Sequence, residues 1–399
     1  MGALRVSVVA CLLLASTLTS ALNIPTSPKY PPVVPRQSPF VKPIVGAGLQ
    51  SERPYNVAHR GACNIYPEET EPSYLAAIDL GADFIEGDVE ATKDGVLVMC
   101  HDIELSLLTD VANRTEFASK RKTYNNIVGG DGVNTGWFIV DFTFEELSTL
   151  RVKQRFPTTR DKSFDGQFPI ITFEKYIQIA LAAPRIVGIY PEIKSPVFIN
   201  QYVQFPGGKS FEQAVVEMLQ KYGYQGKYKS ADWYAKPVFI QAFAPTSLQR
   251  AAQYTDLPLV FLYDSFTART QDTNQTFASL ATDESMAMFA SMGVVGLGPA
   301  KGSLMPVNTT TNYYVGAPID FVTRAHKYNM EVHPYTFRAD SNFLAYDLHG
   351  DFLNELLYFD KVIGVDGYFT DHTENAYKYL EWTHPIYTRQ DIVSNLRFP

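Results

Sequence analysis

Apolar residues along this chain follow two alternating rhythms. Short runs rich in β-branched and aromatic side chains are separated by longer stretches in which apolar positions recur every three or four residues. The short runs predict strands at residues 55–59, 84–89, 186–193, 238–243, 259–263, 294–298, 331–336 and 367–370. The longer stretches predict helices at residues 68–80, 173–183, 211–222, 245–254 and 318–328. Strand and helix alternate to the end of the pattern, as parallel βα units do. Eight such strands predict an α/β protein with a closed TIM (β/α)8 barrel. An open doubly wound sheet is the alternative that a count of strands leaves standing. One connection is too long for a βα loop. Residues 103–164 are polar and glycine-rich without a clear βα unit, which predicts an insertion over the mouth of the barrel.

The N-terminus follows a different pattern. Arg5 precedes a charge-free, mostly apolar run at residues 6–18, and Thr19, Ser20 and Ala21 offer small residues for cleavage, the layout of a signal peptide over residues 1–21. The run is shorter than the roughly 20 residues of a spanning helix, so stable membrane insertion is not expected. Residues 22–52 are proline-rich and aperiodic, an N-terminal arm; the barrel then occupies residues 53–383 and a C-terminal extension residues 384–399. The chain's end lacks the apolar tail of a lipid-anchor signal.

Composition adds boundaries to this picture. With 399 residues, 46% hydrophobic and 19% charged, the chain can bury a large core without disulfides. Its formal net charge of -8 and the lack of a basic run exclude nucleic acid as an expected partner. A single phosphate remains possible, because a metal ion and a few local cations hold one whatever the global charge. Sequons at Asn113-Arg114-Thr115, Asn274-Gln275-Thr276 and Asn308-Thr309-Thr310 fit a secreted glycoprotein, with cell wall or vacuole as further destinations. Cys11 leaves with the signal peptide. Cys63 and Cys100 remain, either as a bridge or as two buried thiols.

Candidate chemistry gathers at the ends of the predicted strands, the positions that face a barrel's active site. The first strand runs into His59-Arg60-Gly61. On the second, Glu86 and Asp88 stand two apart and so point to one side, where two repelling carboxylates suit a hard cation, Ca²⁺ or Mg²⁺. Asp94-Gly95 reads as a hairpin turn, and the segment after it ends at His101. Two histidines beside a dication can move protons around a phosphodiester. On the third strand Glu192 and Lys194 are again two apart, one placed to complete a metal shell and the other to face a phosphate oxygen.

Taken together, His59-Arg60-Gly61-Ala62, Pro67-Glu68-Glu69-Thr70, residues 81–88, Thr92-Lys93-Asp94-Gly95, His101-Asp102, residues 190–194 and residues 365–371 resemble the glycerophosphodiester phosphodiesterase family in order and spacing. Residues 241–245 and 333–338 look like its plant secreted branch. The resemblance covers roughly residues 55–383. It implies a β/α barrel with a small insertion, and hydrolysis of deacylated phospholipids such as glycerophosphocholine to glycerol 3-phosphate and an alcohol. It also implies His59 and His101 as the catalytic histidines, Arg60 and Lys194 as phosphate-binding residues, and Glu86, Asp88 and Glu192 as ligands of a divalent cation. A secreted protein meets more calcium, which favours Ca²⁺ over Mg²⁺. Which histidine is acid and which is base stays open. Two departures stand out: Glu69 where the family often has Asn, adding charge near the site, and Gly87 where it often has a larger residue, expected to point away from the pocket.

Overall fold

The computed structural model describes residues 45–125 and 134–384. In it the eight apolar runs become eight parallel strands, each followed by a helix. They are β1 (Tyr55–Ala58), β2 (Phe84–Ala91), β3 (Gly188–Ile193), β4 (Ile240–Ala242), β5 (Leu259–Tyr263), β6 (Val294–Pro299), β7 (Glu331–Val332) and β8 (Gly367–Thr370). The outer helices are α1 (Glu71–Asp79), α2 (Phe173–Leu181), α3 (Phe211–Lys221), α4 (Pro245–Ala251), α5 (Asp283–Ser291), α6 (Phe321–Lys327), α7 (Phe352–Tyr358) and α8 (Thr373–Thr383). The strands pair in sequence from β1 to β7, and β1 also pairs with β8. Between β7 and β8 the ring closes through a parallel bridge, Phe337 with Thr370. Backbone bonds from Asp366 N to Val332 O (2.9 Å) and from Phe369 N to Pro334 O (3.1 Å) join the same two edges. A ring of strands without an open edge excludes the doubly wound alternative.

Every residue of β1, β2, β3 and β8 is buried, because both faces of these strands are covered, one by the barrel interior and the other by the helices. The period of two nevertheless governs what faces the barrel interior. Tyr55, Val57, Phe84, Tyr190, Phe239 and Phe369 form one interior cluster with Trp233 and Val260. Two residues beyond Val57, Phe84 and Tyr190 on the same side stand His59, Glu86 and Glu192. On these three strands the inward side thus changes from apolar to polar within two residues.

Helix starts follow local capping. The Thr172 hydroxyl accepts from Lys175 N at α2, and the Ser210 hydroxyl accepts from Gln213 N at α3. The first helix begins at Glu71 rather than at residue 68, because Glu69 takes a left-handed conformation (φ 59°) that ends any helical continuation upstream. The seventh strand ends early, at Val332, near Pro334, which has no N–H to give to a ladder. Helices α5, α7 and α8 are additions to the predicted set. The Asp94-Gly95 turn does form a hairpin, with Val89 opposite Met99 and Ala91 opposite Leu97.

The long connection after His101 holds 3-10 turns, a two-stranded pair (Lys122–Thr123 with Thr135–Gly136) and a one-turn helix, Phe144–Leu147, closed by a Thr143–Glu146 capping box. Leu105, Phe117, Phe138, Ile139, Phe142 and Leu147 are buried within it. The signal-peptide reading of residues 1–21, most of the arm and the extension beyond His384 lie outside the described residues. Of the two states open to Cys63 and Cys100, the structure has two buried free thiols; Cys100 Sγ donates to Asp102 O at 3.3 Å.

Candidate active site

All seven residues singled out by the sequence come together at the C-terminal ends of the strands. His59, Arg60, Glu86, His101, Glu192 and Lys194 line one cavity of about 60 Å³ with Gln241, Phe243 and Tyr335. Asp88, 1% exposed, lies beside it, within 3.1 Å of Arg60 Nε and 3.5 Å of Lys194 Nζ. A second cavity of about 300 Å³ shares His101, Lys194, Phe243 and Tyr335 with the first and continues to Asp264, Arg269 and Phe277.

The turn after β1 sets the first pair. His59 N donates to Thr370 O (3.0 Å), and Arg60 then takes a left-handed φ of 58°, turning its N–H to Glu86 Oε2 (2.8 Å). Gly61 follows at φ 84° against Ser73, whose backbone carbon would lie 2.8 Å from any Cβ, so only glycine fits there. The Arg60 side chain reaches Glu68 at 3.1 Å.

The acids come from neighbouring strands in register. Asp88 is the Cα partner of Glu192, which is in turn the partner of Gln241. Carboxylate oxygens of Glu86, Asp88 and Glu192 all lie within 4.8 Å of one another. Burial and the neighbouring Asp88 push the Glu86 carboxyl well up from its ordinary value. Burial also raises Glu192, with Asp88 adding to it and Lys194 opposing. Asp88 goes the other way, because Lys194, His101 and Arg60 outweigh its burial. Three buried acids that cannot all ionise comfortably are a site that a dication would relieve, and an all-oxygen donor set suits a hard cation. The residues therefore fit the group that the sequence implied.

Both histidines are held through Nδ1. His59 Nδ1 lies 2.6 Å from Asp371 Oδ1, and His101 Nδ1 bonds Asp102 Oδ1. Burial alone would raise the Asp371 carboxyl, but Arg338, His59 and Arg160 hold it well below the usual range. An ionised carboxylate only accepts, so His59 Nδ1 carries the proton and Nε2 keeps its lone pair. Burial and then Arg60 depress His59 to about 4; burial, Arg60 and Lys194 depress His101 to about 3. Both rings are neutral near pH 7.

The two departures noted in the sequence have clear places. Glu69, 3% exposed, accepts from Asp88 N at 2.5 Å, and its other oxygen has no hydrogen-bond partner. Gly87 points away from the cavity as expected: a Cβ there would lie 2.2 Å from Tyr74 Oη and 2.5 Å from Met99 Cε. Sequence reasoning named Asp102 and Asp371 only as parts of motifs, although each follows a strand end and so carried a positional signal. It missed Arg155 and Arg160, which come from a segment without strand or helix periodicity, and it quoted Arg338 only as part of a motif. Gln241, which donates to Glu86 Oε1 at 3.0 Å, was likewise quoted without a role.

Comparison with known proteins gives this geometry a family. The chain is 49% identical over 343 residues to the glycerophosphodiester phosphodiesterase GDPD6 of Arabidopsis thaliana, covering 86% of this chain and 90% of the relative. It is 30% identical over 358 residues to a glycerophosphodiester phosphodiesterase of Haemophilus influenzae, covering 82% and 89%. Among solved structures, a putative glycerophosphoryl diester phosphodiesterase from Silicibacter pomeroyi superposes with a TM-score of 0.54 at 18% identity, covering 84% of this chain and 95% of that one. An Oleispira antarctica phosphodiesterase in complex with the product sn-glycerol-3-phosphate superposes at 0.52 and 17% identity, covering 82% and 97%; at these identities the two structures speak for the fold. The family described as "Glycerophosphoryl diester phosphodiesterase family" matches residues 59–375, from the first site histidine to the start of the last helix, and the chain belongs to that family.

Proposed function

We propose that this protein hydrolyses glycerophosphodiesters, such as glycerophosphocholine, to glycerol 3-phosphate and an alcohol. The observation that carries the reading is the meeting, at one cavity, of two Nδ1-anchored histidines with three clustered carboxylates and two cations. Glu86, Asp88 and Glu192 would hold the divalent cation, Ca²⁺ or Mg²⁺. When bound there, such an ion supplies Lewis-acid polarisation of a nonbridging phosphate oxygen. Arg60 and Lys194 supply fixed positive charge for the phosphate. One imidazole Nε2 accepts the proton of the attacking oxygen, from water or from the neighbouring glycerol hydroxyl. The other imidazole must take up a proton before it can deliver one to the departing alkoxide, and the negative phosphate of a bound substrate would favour that protonation against the burial and cations that keep the ring neutral in the empty site. Attack by the glycerol hydroxyl would proceed through a cyclic phosphate and gain from proximity.

The larger adjoining cavity has room for the alcohol part of the substrate. The test is release of glycerol 3-phosphate by the purified protein from several glycerophosphodiesters, with and without chelator. No release from any of them would end the reading.

We infer further that the protein is exported. The N-terminal pattern supports this, as does the exposure of all three sequon asparagines, Asn113, Asn274 and Asn308. A mature N-terminus at Leu22 and a mass loss on glycosidase treatment are the expected results; an intact Met1 on protein recovered from cells would refute export.

A further inference from the structure

Each site histidine has its Nδ1 on an aspartate, and each aspartate is gripped by an arginine from one short segment outside the barrel strands. Arg155 Nη2 lies 2.9 Å from Asp102 Oδ1, the oxygen that also takes His101 Nδ1. The same guanidinium holds Glu68 through two bonds, Nε to Oε2 and Nη2 to Oε1, both 2.8 Å. Glu68 Oε1 also receives Arg60 at 3.1 Å, so this network runs from the His101 dyad to the phosphate-site arginine. Five residues on, Arg160 Nη2 lies 2.6 Å from Asp371 Oδ2, while Asp371 Oδ1 takes His59. Arg160 also binds Asp340 twice, at 3.1 and 2.8 Å, and the Cys63 carbonyl at 3.3 Å.

The segment is itself stapled down. Val152 N donates to Phe168 O (2.9 Å), Gln154 Nε2 to Cys63 O (3.0 Å) and Gln154 N to Asp165 Oδ1 (2.7 Å). Phe156 lies under the guanidiniums of both Arg160 and Arg338, at 4.5 and 5.3 Å from its centroid, and Arg338 adds a second bond to Asp371 Oδ2 at 2.7 Å. The Arg155 and Arg160 side chains are 13% and 3% exposed.

We propose that residues 152–168 act as a clamp on the chemistry, Arg155 locking the His101–Asp102 dyad and Arg160 the His59–Asp371 dyad, so that both arginines are positioning residues for proton transfer. The inference rests on the function proposed above. An imidazole serves at Nε2 only if its ring cannot turn and its Nδ1 keeps the proton, and both conditions need a carboxylate that does not swing. A short aspartate side chain at a strand end has one oxygen for the histidine. The guanidinium fork fixes that carboxylate by pinning it to a further acid, Glu68 for Asp102 and Asp340 for Asp371. A buried ion pair serving stability alone would have no reason to choose both histidine-bonded aspartates from one six-residue span.

The test uses the whole folded protein with metal supplied. Arg155→Ala and Arg160→Ala should each lower kcat on glycerophosphocholine by about 10- to 10²-fold. KM should change by less than about threefold, because substrate binding is not the function lost. Added guanidinium chloride at millimolar concentration should restore part of kcat in each. On a 4-nitrophenyl ester of glycerol phosphate, whose departing oxygen needs no proton, one of the two losses should shrink while the other persists. Arg155→Lys and Arg160→Lys keep the charge and guard against misfolding; both should still lose kcat several-fold, since an ammonium cannot span two carboxylates. The proposal is overturned by wild-type kcat in any folded variant, by losses confined to KM, by equal losses on both substrates, or by losses that follow the unfolded fraction without guanidinium rescue. A wild-type protein that turns over neither substrate would instead end the function proposed above.

Discussion

Asp371→Asn is the change that separates tautomer control from electrostatics most cleanly. Asp371 Oδ2 faces two guanidiniums, Arg160 at 2.6 Å and Arg338 at 2.7 Å, so an asparagine there must turn its carbonyl oxygen toward them. Its amide nitrogen then faces His59 Nδ1, 2.6 Å from the atom it replaces, and brings N–H groups where only an acceptor stood. His59 Nδ1 must accept, the proton moves to Nε2, and the lone pair toward the cavity is gone. The chain keeps its shape and loses one proton-transfer partner, an effect of about 10²–10⁴-fold on kcat. At about 1.36 kcal/mol per tenfold, that is roughly 3–5 kcal/mol of transition-state stabilisation. The assay is initial-rate release of glycerol 3-phosphate at saturating substrate and metal, with circular dichroism to establish folding. A folded Asp371→Asn protein whose kcat stays within about threefold of wild type would refute the tautomer argument and, with it, His59 as the proton acceptor.

Other outcomes follow from the same geometry. His59 and His101, depressed to about 4 and about 3 by burial and nearby cations, are neutral in the folded protein, so as pH falls below about 6.5 the unfolded chain takes protons first. Their contribution to stability is therefore present above that pH and lost below it: the melting temperature of wild type relative to His59→Gln should drop between roughly pH 7 and pH 5, and a constant gap would contradict the assignment. Exhaustive chelation should abolish activity, and Ca²⁺ or Mg²⁺ should restore it while raising the melting temperature, by about 2.7 kcal/mol of stabilisation at a hundredfold excess over Kd. Glu86→Gln should lose both the activity and the metal-induced shift while remaining folded; metal-free enzyme with normal turnover would remove the metal role. Gly87→Ala forces a methyl to within 2.2 Å of Tyr74 Oη and 2.5 Å of Met99 Cε, and should cost about 1–3 kcal/mol in urea unfolding. An unchanged midpoint would show that α1 yields more easily than its packing implies.

Much of this protein was legible in the chain. Strands that place His59, Glu86 and Glu192 two positions beyond inward apolar residues point to a barrel and its polar end together, because side-chain alternation is a local property of extended backbone. The Asp94-Gly95 hairpin and the outward direction of Gly87 follow from the same local rules. What the sequence could not decide depends on contacts between distant residues. Closure of the ring rests on Phe337 meeting Thr370, and no periodicity records which strand edges find each other. The state of Cys63 and Cys100 depends on how their surroundings pack, and both are buried as thiols. The anchors of the two histidines show the divide most sharply. Asp371 stands 312 positions from His59, and Arg155 and Arg160 lie in a segment with neither rhythm, so nothing local marks them. The sequence by itself singled out the groups that the fold gathers at one cavity; the tertiary structure alone decided their protonation and orientation, since both are set by whichever charges the fold brings within about 3 Å.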